Sequence, residues 1–123
     1  MTSTQPLKDV RILVAEDEFL LADDLARSLR EVGAIVIGPA PTVAKAQCLL
    51  DEASGVDLAV LDVNLRDSFI YPVAESLKQR ATPFLFTTGY DQASFPEAYR
   101  DVPKVHKPYD MAEVLDRLAK LLP

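Results

Sequence analysis

The sequence is 123 residues long and carries 19 acidic against 13 basic side chains, a net charge of −6. That length suits one domain, able to bury roughly two-thirds of the unfolded chain's surface, and does not suit two. With 49% apolar and 26% charged residues the composition is that of a soluble globular protein, and the acid excess argues against a duplex-DNA binder or a basic membrane-surface protein.

Residues 1–8, MTSTQPLK, are polar and lack the apolar core of a signal peptide, so a short disordered lead is expected ahead of a domain over 9–123. VRILVA at 10–15 reads as a strand from its length and β-branched content. Leu21, Leu25, Leu29 and Val32 then recur at spacings of four, four and three, one stripe of an amphipathic helix over 19–32. Gly33 is placed to end that helix in the left-handed region. AIVIG at 34–38 is a second strand, and Thr42 can cap a helix running to about residue 53. Val43, Ala46, Leu49 and Leu50 are expected inward on it, with Cys48 as a small core hydrophobe. DLAVLDV at 57–63 is a third strand, apolar until Asp62, followed by a loop and a short helix over 72–79. PFLFTTG at 83–89 is a fourth strand. Pro96 interrupts 91–100, where only a short fourth helix is expected. A brief fifth strand at 102–106 precedes a last helix to about residue 122, opened by a capping box of Asp110 and Glu113.

Five strands alternating with five helices point to a parallel sheet covered on both faces, a doubly wound α/β fold. Ligands bind such folds at the carboxyl ends of the strands. There the sequence places Glu16, Asp17 and Glu18 after the first strand, Asp62 at the end of the third, Thr87, Thr88 and Gly89 after the fourth, and His106, Lys107 and Pro108 after the fifth. Each has an ordinary reading alone: first-turn acids favoured by a helix dipole, a polar loop start, a turn threonine, a surface lysine. Together they form a set with one chemistry. Carboxylates brought close repel one another and are stabilised by a cation, and hard oxygen ligands without a His/Cys set favour magnesium over zinc. A carboxylate can accept a phosphoryl group, and a lysine and a threonine hydroxyl suit phosphoryl oxygens.

At these residues the chain resembles a response-regulator receiver domain of two-component signalling, over residues 10–122. Glu16-Asp17, Asp62, Thr88-Gly89 and Lys107-Pro108 stand where that family has its site, and PFLFTTGYD at 83–91 resembles the single-domain regulators with a Phe-Ala-Thr-Gly-Tyr-like fourth-strand motif, Thr87 replacing the alanine. The resemblance implies a flavodoxin-like (βα)5 receiver fold. It implies Asp62 as acceptor of a phosphoryl group from a sensor histidine kinase or histidine phosphotransfer protein. Mg2+ would be bound by Asp17 and Asp62 through carboxylates, by Glu16 through water and by the backbone carbonyl of Asn64. Lys107 would pair with Asp62 and then the phosphoryl oxygens, Thr88 would swing toward that group, and the Lys107–Pro108 bond would be cis. The implied output face is the fourth helix, fifth strand and fifth helix, which could also carry a homodimer.

Three departures from the family pattern stand out. Leu65-Arg66 replaces a common Met-Pro pair, and Lys104 replaces the usual strand-five aromatic switch, so the threonine–aromatic coupling is altered. Tyr90, two residues past Thr88, is bulky enough to hinder water's attack on a phosphoaspartate; Tyr90→Ala is expected to shorten its lifetime, and an unchanged half-life would count against this.

The reading is therefore a phosphorylation-dependent switch and not an enzyme, acting on partners or passing phosphate on, without nucleic acid or membrane. An Asp-nucleophile phosphohydrolase is expected to carry a second acid two residues after Asp62, where Asn64 stands. A phosphate-independent pseudo-receiver interaction module is the better-grounded alternative; loss of a site acid would favour it, and none is lost. No G-x-G-x-x-G or P-loop is present. His106, the single histidine, is read as a strand-end residue, and Tyr71, Tyr99 and Tyr109 as surface or interface aromatics. One cysteine and no apolar run near the roughly 20 residues of a membrane span lead to a cytoplasmic expectation.

Overall fold

The computed structural model describes residues 5–66, 68–89 and 95–123. In chain order it builds β1 (Arg11–Ala15), α1 (Phe19–Glu31), β2 (Ile35–Ala40), α2 (Val43–Glu52), β3 (Leu58–Asp62), a two-residue pair β4 (Asn64–Leu65) and β5 (Ser68–Phe69), α3 (Tyr71–Gln79), β6 (Phe84–Thr88), a 3-10 turn (Glu97–Tyr99), β7 (Lys104–His106) and α4 (Met111–Lys120). Five strands form one sheet in the order β2-β1-β3-β6-β7, every neighbouring pair parallel. The chain starts near the middle and winds outward in both directions, so the strand order switches between β1 and β3.

Alternation along the strands divides the core. Leu13, Ala15, Ala59, Leu61, Phe84 and Phe86 face α2 and α3, while Ile12, Val14, Leu58, Val60, Leu85 and Val105 face α1 and α4. Both faces of the sheet are buried, which is why β1 and β3 read as continuous apolar runs. Thr42 Oγ1 accepts the Lys45 N–H (3.1 Å) and Asp110 Oδ1 accepts the Ala112 N–H (3.1 Å), so both expected helix starts are capped. The reciprocal half of the box is used differently: the Glu113 carboxylate lies 3.7 Å from Arg117 one turn on. Gly33 takes φ +89 at the end of α1. Gly38 takes φ +108, and a Cβ there would lie 2.8 Å from the Val14 carbonyl oxygen. Only glycine lets β2 pass that carbonyl and reach Ala40, two residues beyond the expected end.

Other differences from expectation have local causes. The helix expected over 91–100 is, among the described residues, the 3-10 turn Glu97–Tyr99, entered from extended Pro96; residues 91–94 lie outside the described residues. Pairing of the last strand begins at Lys104, because Pro103 has no N–H to donate and contributes only its carbonyl, to Phe86 N–H at 3.0 Å. Cys48 is exposed, with Sγ 3.2 Å from Glu52, and is not a core residue. It stands two residues from buried Ala46, about 200° around the helix at 3.6 residues per turn. In the expected lead, residues 1–4 lie outside the described residues, but Leu7 is buried against the α1/α4 core and the Asp9 N–H donates to the Gly33 carbonyl (2.8 Å). Tyr99 is buried, stacked on Tyr71 with ring centroids 5.1 Å apart, not a surface aromatic. No helix among the described residues is long and apolar enough to cross a membrane.

Candidate functional site

The residues predicted from four strand ends meet at one edge of the sheet. Asp62 ends β3 and Thr88 ends β6, two neighbouring strands, with Asp62 opposite Thr87 in register. Glu16 and Asp17 follow β1 on the other side of β3, and Lys107 follows β7 beside β6. The pairing order alone brings these loops together, because parallel strands all point the same way. Glu16, Asp62, Thr87 and Thr88 are the buried polar residues of the described chain.

Lys107 joins the two buried acids. Its Nζ lies 2.8 Å from Asp62 Oδ2 and 2.9 Å from Glu16 Oε1. Its backbone N–H donates to the Thr88 carbonyl at 2.8 Å, which fixes the loop after β7 to the end of β6. The Lys107–Pro108 bond is cis, as the resemblance implies. A Cβ at Gly89 would lie 4.0 Å from the Lys107 side chain, so Gly89 stands beside the lysine with room to spare.

Backbone amides orient the carboxylates. Glu16 Oε2 accepts the Glu18 N–H (3.1 Å), Asp62 Oδ1 the Asn64 N–H (3.2 Å), and Asp17 Oδ2 the Arg66 N–H (3.0 Å). Asn64 lies within the β4–β5 hairpin that follows the acceptor strand, paired with Phe69. Arg66 joins the site although the sequence marks it only as a departure from Met-Pro. It takes φ +46 and supplies an N–H, and a proline there could do neither. The departure from Met-Pro thus has a structural use: it ties the loop after Asp62 to the acid after β1. Tyr90 lies outside the described residues. Lys104 points away from the acids. Its Nζ donates to the carbonyls of Tyr99 (3.0 Å), Arg100 (2.9 Å) and Val102 (2.6 Å) and sits 4.5 Å from the centroid of the Phe95 ring.

The electrostatics are those of an acid cluster short of cations. Burial pushes Glu16 up to about 7, and the nearby Asp62 charge adds to the push, against the Glu18 N–H and Lys107. Burial alone would lower Lys107, but its hydrogen bonds to Asp62 and Glu16 hold the ammonium above its ordinary value. One ligand oxygen from each of Glu16, Asp17 and Asp62 lies within 4.8 Å of the others. Glu16 Oε1 is buried and, although close to Lys107 Nζ, accepts no hydrogen bond of acceptable geometry. Three converging carboxylates, one lysine and an under-satisfied oxygen fit a hard divalent cation.

No family model matches the chain. It is 32% identical over 109 residues to the transcriptional regulatory protein PdtaR of Mycobacterium tuberculosis, covering 85% of this chain and 53% of that protein. The chain spans about half the length of the curated relatives it matches. The solution structure of SdrG from Sphingomonas melonis Fr1 is 40% identical, with a TM-score of 0.77 over 89% of this chain and 93% of that one. SdrG in its BeF3-activated conformation is 39% identical, with a TM-score of 0.75 over 94% and 98%. The receiver domain of the response regulator PhyR from Erythrobacter litoralis is 27% identical, with a TM-score of 0.78 over 92% and 89%. Sheet order, the acids and lysine at the strand ends, and likeness along nearly the full length of SdrG agree: the chain belongs to the receiver-domain family of response regulators.

Proposed function

We propose that this receiver domain is a phosphorylation-dependent switch whose acceptor is Asp62. The observation that carries the reading is Lys107 Nζ, 2.8 Å from Asp62 and 2.9 Å from Glu16, beside three carboxylates gathered within 4.8 Å. The phosphodonor is a phosphohistidine on a sensor histidine kinase or histidine phosphotransfer protein. An Asp62 carboxylate oxygen forms a bond to phosphorus as the P–N bond breaks, and the imidazole leaves with that electron pair. The product is an acyl phosphate. Little acid–base chemistry is needed, so the work of the site is in-line positioning and neutralisation of phosphoryl oxygens.

Glu16, Asp17, Asp62 and the Asn64 carbonyl would hold Mg2+, which when bound supplies positive charge to the phosphoryl oxygens. Lys107 offers a second cation, already turned toward the acceptor. Thr88 ends β6 against Lys107 and offers its hydroxyl to the added group. The extra negative charge and acceptor oxygens then bias a two-state element at this edge. Output lies on the face built from the 3-10 turn, β7 and α4, either as altered partner binding, self-association included, or as onward transfer of phosphate. The chain acts in the cytoplasm and is not a turnover enzyme.

Incubation with Mg2+ and a small phosphodonor, read on a phosphate-affinity gel, tests the reading. The wild type shifts and Asp62→Asn does not. No shift in either, with a donor kinase also failing, would leave a phosphate-independent interaction module; steady multiple-turnover release of phosphate from varied esters would establish a hydrolase instead.

A further inference from the structure

Each of the three gathered carboxylates is held by a backbone N–H, but not in the same way. Glu16 and Asp62 accept from residues two positions on in their own loops, Glu18 and Asn64. Asp17 accepts from Arg66, 49 positions along the chain, at 3.0 Å. Lys107 bridges Glu16 and Asp62, so among the described residues the Arg66 amide is the one donor to the Asp17 carboxylate. Asp17 is also the half-buried member of the set, where Glu16 and Asp62 are buried. Its orientation therefore depends on a segment that follows a different strand.

That segment is anchored on both sides of the amide. Leu65 is buried in the α2/α3 core, and Asn64 pairs with Phe69 across the β4–β5 hairpin. The Val63 N–H donates to the Thr87 carbonyl (3.0 Å), and the Val63 carbonyl accepts from the Ile70 N–H (2.9 Å). Between these anchors the chain turns through φ +46 at Arg66. Among the described residues Asp9 and Ala81 are the other non-glycines with positive φ, and Ala81 closes the end of α3, where a left-handed residue is ordinary. Arg66 is the one at the acid cluster. A residue with a Cβ is strained in that region, and such strain gathers where a site imposes it. With Oδ2 on the amide, Asp17 keeps its second oxygen for a cation and does not turn freely into solvent. A ligand ordered before the ion arrives spares the binding step that ordering.

Resting on the divalent-cation reading above, we infer that Arg66 is a positioning residue of the site: its backbone N–H, presented by the left-handed turn, fixes Asp17 in the orientation in which it meets the ion. The role belongs to the main chain and not to the guanidinium. Any residue that keeps an N–H and accepts the left-handed backbone can fill it, and proline does neither.

Titration of the whole chain with Mg2+ alone, followed by backbone amide shifts, tests this without a phosphodonor. Arg66→Gly keeps the N–H and favours the left-handed turn, and its Mg2+ affinity is expected within about twofold of wild type. Arg66→Pro removes the donor and is expected to bind Mg2+ about fivefold more weakly, the weight of one ordinary hydrogen bond. Unchanged affinity in Arg66→Pro overturns the inference. So does an equal loss in Arg66→Gly, which would assign the effect to the guanidinium. The Asp17→Ala background separates this role from a general disturbance of the hairpin and its Asn64 carbonyl. There Arg66→Pro is expected to change Mg2+ affinity no further, and a second loss of the same size overturns the inference. Should Arg66→Pro fail to fold, the Arg66 amide proton decides. The carboxylate holds it downfield in the wild type, and Asp17→Ala must move it upfield while leaving the Ile70 amide in place; a fixed Arg66 shift overturns the inference. Absence of saturable Mg2+ binding in the wild type defeats the cation reading itself.

Discussion

Two lysines three residues apart, Lys104 opening β7 and Lys107 just past its end, live in opposite surroundings. Lys107 points into the acid cluster, where Asp62 and Glu16 hold its charge above the ordinary value. Lys104 reaches the far side and collects three backbone carbonyls at the end of the 3-10 turn, with Phe95 beneath it. Burial pulls Lys104 below its ordinary value, with only Asp101 acting against it. One lysine is bound by charge and the other by dipoles and an aromatic face. The first can be recruited by a new anion, because its partners are themselves anions that compete for cations. The second is a staple. Phe95 stacks on Phe86, two residues before Thr88, and Phe86 meets Tyr71 and Tyr99 edge to face. Lys104 therefore holds the segment preceding β7 against the aromatic cluster at the heart of the α2/α3 face. In the position where an aromatic residue would report switching, it fastens the neighbouring backbone.

The largest effect should come from breaking the charged partner. Lys107→Met leaves Glu16 and Asp62 buried without their cation, which costs about 3 kcal/mol in urea unfolding without divalent ions. Mg2+ should recover part of that loss and bind more tightly than to wild type, since the competing ammonium is gone. Equal stability, or weaker Mg2+ binding, would show that the lysine and the ion do not share the acids. Lys104→Met should cost less, about 2 kcal/mol, because the freed carbonyls are partly reachable by water and the methionine still packs on Phe95. Its phosphorylation by a small donor should stay within twofold of wild type, and a larger fall would mean that the two lysines are coupled. Smallest is Thr42→Ala, which removes the α2 cap far from both lysines and should cost about 1 kcal/mol by the same unfolding measurement, with Mg2+ affinity unchanged.

The candidate site was legible to the extent that it hangs on strand ends. Runs such as VRILVA and DLAVLD announce strands buried on both faces, and the residues that follow them are carried to one edge. Thr42 and Asp110 read correctly as caps because capping is a local affair of three or four residues. The sequence is silent where a residue's fate depends on which way a surface turns or on a partner far along the chain. Cys48 reads as a core residue beside apolar Leu49 and Leu50, yet helical angle turns it to the surface. Leu7 is buried although it sits in a polar segment, because a single leucine carries no periodicity that could announce it. Arg66 carries no sequence signal of a site residue, because it works through its backbone N–H on an acid 49 positions away.

By itself the sequence determined the alternation of strands and helices, the parallel two-faced sheet, and the chemical types delivered to its carboxyl edge. Those follow from periodicity and local conformational preference, which act over a few residues. Only the tertiary structure decided that Lys107 bridges Glu16 and Asp62 while Lys104 turns to backbone carbonyls. Lys104 on the short β7 and Lys107 just after it are three positions apart, and which acceptors each meets depends on loops contributed by β1, β3 and the segment ahead of β7. Those distances are set by the packing of the whole sheet, and no local stretch of chain contains them.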